Sequence, residues 1–259
     1  MKIAIQLAGQ IRMWDKAYSE WEIVKSKLES HGIDVDIHIC SWKDEYTETL
    51  GLKTYQYSHM FTTINLIPIK QELFVRTSKG MKNFEKNRGY SPHGMMPISY
   101  QYYYGGRFRR LYQRENNVKY DVIILSRPDV YFKSIGETIN NLVNIKGVMP
   151  NYYKTLKAIS TQNSTIYIPQ GSINSIYKDN HSDQNDWLSN DLFAMGNEHS
   201  INQYCNGYLH CFLQTSHSFV ATNHSYPAIT CHKCNLRIKT LHFGTQLWRI
   251  GEERINYNK

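Results

Sequence analysis

The chain has 259 residues, 41% of them hydrophobic, 13% aromatic and 20% charged, which supplies a sizeable core and excludes intrinsic disorder. No stretch approaches the run of about 18 apolar residues that a membrane span needs. A formal net charge of +8 and a pI near 9.1 favour an anionic partner: a nucleotide diphosphate, a nucleic acid or an anionic membrane surface.

The chain opens with "MKIAIQLAGQIRMW". Its short apolar run is interrupted by Gln6 and Arg12, and no small-residue cleavage site follows. It therefore reads as a first core strand ending at Gly9 rather than a signal peptide. On that reading the protein is cytoplasmic, and its five cysteines are thiols or metal ligands. Trp14, Tyr18, Trp21, Val24 and Leu28 then recur at helical spacing, with Asp15 near the start and His31-Gly32 as the stop. "IDVDIHICSW" (33–42) gives a second strand. This βαβ opening predicts an α/β fold with a mostly parallel sheet.

Residues 43–98 read as an insert or lid, with strand-like pieces such as "LFVRTS" and the loop "RGYSPHGMMP". The 80–98 part is expected to order when a ligand binds. From Ser99 a helix is predicted, with Tyr104, Phe108, Leu111 and Tyr112 as its stripe. Gly105-Gly106 inside it either weakens the helix or marks a close approach of backbones. "DVIILSRPDVYF" (121–132) is a third core strand, polar at its end, and 151–186 reads as polar and irregular. "DWLSNDLFAMG" (186–196) returns a short strand, after which Asn197 caps a helix carrying Ile201, Tyr204, Tyr208 and Phe212. Residues 213–259, with "TCHKC" and "LHFGTQLW", form a C-terminal section. No repeat or linker divides the chain, so 1–259 reads as a single domain.

Ligands of open α/β sheets bind beyond the carboxyl ends of the strands. Three such ends carry polar chemistry: "AGQIR", "CSWKD" and "SRPD". GxGxxG is absent, yet Gly9 can admit a phosphate or base to the backbone and Arg12 can hold a phosphate in two-pronged fashion. Arg127 and Asp129, two apart on an extended segment, point to one face. Two uses of the pair are open: an internal ion pair that ties the strand end, or a site in which Asp129 meets a divalent cation or sugar hydroxyls. Asp191 reads either as a loop-ending residue or as a general base for an acceptor hydroxyl. His224, Cys231, Cys234 and His242 make an H-x6-C-x2-C-x7-H array that matches no standard zinc finger. It leaves open a zinc-stapled nucleic-acid-binding module without catalysis.

Taken together, "IAIQLAGQIRMW", "DVDIHICSW", "ISYQYYYGGRFRRLY", "YDVIILSRPDVYF" and "NDLFAMG" resemble a family of small glycosyltransferases with a GT-A-like, Rossmann-like nucleotide-diphospho-sugar transferase fold. That family is common in bacteriophages, large viruses and bacterial polysaccharide clusters. The resemblance implies a nucleotide-sugar donor held by Gly9, Gln10 and Arg12, with Trp42 beside the base. "SRPDVYF" stands where the family carries Asp-x-Asp for a divalent cation (Mn2+ or Mg2+). Arg127 occupies the first acidic position, which opens a metal-independent transfer with Arg127 meeting the charge of the leaving diphosphate. "LHFGTQLW" is similar to the His-Phe-x-Gly-x-x-Lys-Pro-Trp segment of retaining members, which implies His242 as a metal ligand beside Asp129. Arg127 and Asp191 are then the expected catalytic residues of a hexosyl- or pentosyltransferase. The expected acceptor is a glycan or polysaccharide, with a hydroxylated base in DNA as the alternative.

Overall fold

The computed structural model describes residues 1–9, 11, 14–43, 60–68, 95–132, 153–169, 193–215, 226–241 and 245–247. In chain order the described elements are β1 (Lys2–Ala8), α1 (Trp14–Ser30), β2 (Asp34–Lys43), β3 (Thr63–Pro68), α2 (Met95–Glu115), β4 (Val122–Ser126) and β5 (Val130–Phe132). Then follow α3 (Tyr153–Thr161), β6 (Thr165–Pro169), β7 (Phe193–Gly196), α4 (Glu198–Thr215), α5 (Tyr226–Lys233), β8 (Arg237–Leu241) and β9 (Thr245–Leu247).

The described strands form a seven-stranded sheet in the order β3-β2-β1-β4-β7-β6-β8. β1 runs parallel to β2 and β4, and β2 runs parallel to β3. Only β7 is reversed within this sheet, antiparallel to both β4 and β6, while β8 again runs parallel to β6. This is the expected mostly parallel α/β sheet flanked by helices. β2 and β3 extend to one side of β1 and β4 lies on the other, so the winding changes direction between β1 and β4.

Continuous burial explains the central strands. Ile3 to Ala8 and Val122 to Ser126 are all buried, because helices cover both faces. One face packs Ile3, Ile5, Leu7 and Ile37 against Trp21 and Leu28 of α1. Trp21 is fully buried, and its removal would cost about 3–5 kcal/mol. The other face carries the small residues Ala4 and Ala8 beneath α2, with Ile123 and Leu125 against Ile201 and Tyr204 of α4. Gly105 completes that contact: a Cβ there would lie 3.1 Å from Gln6 Nε2 and 3.3 Å from Cys40 Cβ. The glycine pair of α2 thus marks a close approach.

Three helix ends share one device. Gly32 (φ 74°), Asn117 (φ 50°) and Asn235 (φ 52°) turn left-handed. The next residue's amide then reaches back, as Ile33 to Leu28 O (3.2 Å), Val118 to Gln113 O (2.9 Å) and Leu236 to Cys231 O (2.7 Å). Asn197 caps α4 as expected, its Oδ1 accepting from the Ser200 amide at 2.9 Å.

Several expectations change. α2 begins at Met95 rather than Ser99. The stretch 151–186, expected to be irregular, contains α3 and the interior strand β6. Within the 43–98 insert, Thr63–Pro68 is an edge strand of the main sheet. In the C-terminal section, β8 forms the opposite edge. "LFVRTS" and residues 80–94 of the expected lid lie outside the described residues. Among the described residues no helix is long and apolar enough to cross a membrane.

Candidate active site

The polar strand ends converge at the carboxyl edge of the sheet. Ala8 is in register with Cys40, and Leu7 with Ser126, so Gly9 and Arg127 follow the ends of neighbouring strands, beside Ser41 near the end of β2. Gly9 adopts φ 152° and its amide donates to Cys40 O at 3.1 Å. A Cβ at this position would lie 3.1 Å from Pro128 Cδ and 3.5 Å from Arg127 Cγ. Glycine is required twice over, by its backbone angle and by the closeness of the 127–128 turn. The Ile11 amide donates to Ser41 Oγ at 3.3 Å, which ties the segment after β1 to β2.

Arg127 Nε donates to Asp129 Oδ1 at 2.9 Å and Nη2 donates to Oδ2 at 2.7 Å. The Arg127 side chain keeps 19% of its surface exposed, whereas Asp129 keeps 1%. The Val130 amide approaches Arg127 O at 3.4 Å and closes the turn around Pro128. The internal ion pair weighed from sequence is therefore present, and it fixes the guanidinium of a residue whose Cβ and Cγ lie against Gly9. A divalent cation at Asp129 would have to share both carboxylate oxygens with the guanidinium, through the one lone pair left on each.

Two further segments enter this edge. β5 pairs antiparallel with β9, Val130 with Leu247 and Phe132 with Thr245, which brings part of "LHFGTQLW" beside the Asp129 turn. Because β7 is antiparallel to β4, its first residue Phe193 is in register with Ser126, next to Arg127. Gln10, Arg12, Asp191 and His242 themselves lie outside the described residues. Trp42 is described and only 4% exposed; its ring stacks on Tyr100 at 5.7 Å, with Tyr104 a further 4.4 Å from Tyr100.

The zinc array is described only at its cysteines. Cys231 is buried in the apolar cluster under α4, and Cys234 Sγ lies 3.8 Å from Gln203 O. Among the described residues no group of three His, Cys, Asp or Glu side chains is arranged to hold a metal ion.

Two buried polar networks escaped the sequence reading. Arg109 is fully buried; its guanidinium donates to Gln6 Oε1 (3.0 Å), Gln113 Oε1 (2.8 Å) and Asn202 Oδ1 (2.5 Å). Burial pushes it down to about 10, so it remains a cation at neutral pH. The signal was Gln6, a lone amide in the middle of an apolar strand. The second network links His38 Nδ1 to Thr63 Oγ1 (2.9 Å) and Nε2 to the Tyr120 hydroxyl (2.8 Å), which donates to Asp36 Oδ2 (2.7 Å). Burial, reinforced by the Arg109 charge, pushes His38 down to about 4 and keeps it neutral. Both networks lie below the carboxyl edge and hold strands and helices together.

No family model matches the chain, and no curated protein matches it in sequence. Among solved structures, mouse xyloside xylosyltransferase 1 in its apo form aligns over 93% of this chain and 84% of its own, at 10% identity and a TM-score of 0.42.

Proposed function

We propose that the chain is a glycosyltransferase that moves a hexosyl or pentosyl unit from a nucleotide-diphospho-sugar to an acceptor hydroxyl of a glycan. One observation carries the reading: at the switch point between β1 and β4, Gly9 lets the 127–128 turn close onto the end of β1 while the Asp129 carboxylate holds the Arg127 guanidinium at the carboxyl edge. Open α/β sheets bind ligands at such a switch point.

In this mechanism the diphosphate lies over Gly9, with Gln10 and Arg12 as further phosphate contacts. Arg127 meets the negative charge that grows on the leaving diphosphate, an electrostatic contribution that depends on the cation being fixed beforehand. Asp129 acts as its positioning residue. Asp191, two residues before a strand that starts beside Ser126, takes the acceptor proton in an inverting reaction or orients the acceptor in a retaining one. Trp42 acts through the Tyr100 ring that covers it, and the tyrosines flank the nucleoside. His242 stands three residues before β9 in the sequence; as a metal ligand it would need donors besides the paired Asp129.

The test is release of nucleoside diphosphate from UDP-, GDP- and dTDP-sugars, and of CMP from a CMP-sugar, each with and without manganese. Turnover of one donor class that falls at least a hundredfold in Arg127→Gln supports the proposal. No release from any donor, together with sugar binding that ignores the nucleotide, points instead to a glycan-binding protein without catalysis.

A further inference from the structure

The far end of α2 carries a feature that the donor site does not use. A cavity of about 560 Å³ is lined by Arg107, Arg110, Arg114, Lys119, Gln113 and Glu198, among others. It lies at the amino edge of the sheet, because Lys119 precedes β4 and Glu198 follows Gly196, which pairs with Ile123 at the start of β4. The Gly9–Arg127 site is at the opposite edge.

Four cations face a single carboxylate in this lining, and none of the four forms an ion pair among the described residues. Arg110 Nη1 donates to Asn202 Oδ1 at 3.1 Å, which fixes one guanidinium in advance. The same Asn202 oxygen and the pocket residue Gln113 accept from buried Arg109, so a fifth positive charge sits behind the wall. Gathering five cations around one carboxylate opposes folding through self-repulsion unless an anion joins them.

Their arrangement tells what kind of anion. Arg107, Arg110 and Arg114 follow one another along a single helix face, spanning about 10 Å at the helical rise, with Lys119 beyond the end. Such a row matches consecutive charges along a chain. Tyr103, Tyr104 and Leu111 share the face, within roughly 120° of arc. The Arg107 guanidinium lies 5.8 Å from the Tyr103 ring and 5.7 Å from the Tyr104 ring, and Leu111 is 42% exposed. Alternation of arginines with flat or apolar side chains is what a strand with phosphates and bases requires, since any base can stack on a ring. A plain acidic peptide such as polyglutamate would meet the cations but offers no base to stack on the rings.

We propose that this face of α2 is a binding groove for single-stranded nucleic acid, with Arg107, Arg110, Arg114 and Lys119 on successive phosphates. The inference stands whether or not the transferase reading holds, because none of the four cations belongs to the donor site.

Fluorescence anisotropy with a labelled 20-nucleotide oligothymidylate tests it on the full chain. Binding is expected with a log K against log salt slope of about −2 to −3, as three or four phosphate contacts dictate. Arg114→Gln/Lys119→Gln, two exposed positions, should reduce the slope by about 1.4. The variant should keep its helical circular dichroism and its cooperative thermal unfolding. Absence of binding at 50 mM salt, or an unchanged slope in the double variant, overturns the inference. So does polyglutamate of equal charge competing as well as unlabelled strand, or a duplex that binds more tightly than the strand. Pyrophosphate displacing the strand as effectively per phosphate reduces the groove to a simple anion pocket and also overturns it.

Discussion

Asp129→Asn exposes the central pair to measurement. The substitution keeps the shape of the side chain but replaces one accepting oxygen by an amide donor, which then faces an Arg127 N–H. One of the two hydrogen bonds, at 2.9 and 2.7 Å, is lost and the guanidinium loses its counterion. Breaking a fully buried pair costs about 3–5 kcal/mol. Asp129 is buried at 1% exposure, but the Arg127 side chain retains 19%, so water recovers part of the loss and about 2–3 kcal/mol is expected. Urea unfolding at neutral pH, followed by circular dichroism, reads this as a lower midpoint at unchanged slope. Donor affinity should fall as well, because Arg127 is no longer held. A loss under about 0.5 kcal/mol with donor binding intact would refute the pairing as the means by which Arg127 is positioned.

Other outcomes follow from the core. His38 sits near 4 when folded and near 6.5 when unfolded, so its contribution is complete above about pH 6.5 and is lost as pH falls towards 4. Unfolding free energies at pH 7 and 4.5 should differ by about 2–3 kcal/mol more in the wild type than in His38→Gln. Asp36, whose carboxyl Tyr120 and Lys2 hold below its ordinary value, adds a separate loss only at lower pH. Gly105→Ala should destabilise by about 1–2 kcal/mol, because crowding against Gln6 and Cys40 outweighs the helix propensity gained. A stabilised variant in thermal melts would contradict that strand-to-helix approach. Asn197→Ala should lower stability by about 1–2 kcal/mol, through loss of the Ser200 amide contact and of the Asn163 contact at 2.7 Å. An unchanged melt would show that the cap contributes nothing.

What could be read from the sequence divides along local and distant causes. Lys2–Ala8, Trp14–Ser30 and Asp34–Lys43 announce themselves by apolar runs, helical spacing and a glycine stop, all local signals. Thr165–Pro169 and Arg237–Leu241 are five residues each among polar neighbours, and they become strands only because distant partners pair with them. The reversal of β7 was also invisible, yet it is what starts that strand beside Ser126. At the site, the glycine at 9 and the charges at 127 and 129 were legible as polar chemistry on apolar strand ends. That the two charges bond each other was one of two readings; the burial of Asp129 decides it. The cover of Tyr100 over Trp42 was not legible at the strand end, because exposure there depends on a distant helix.

Isothermal titration of the matching nucleoside diphosphate into wild type and Arg127→Gln tests the switch-point site most directly. The account predicts a single saturable site in the wild type and at least a tenfold weaker constant in the variant, with the variant's unfolding still cooperative. Equal affinity in the two proteins, or no heat from any nucleoside diphosphate, would contradict it.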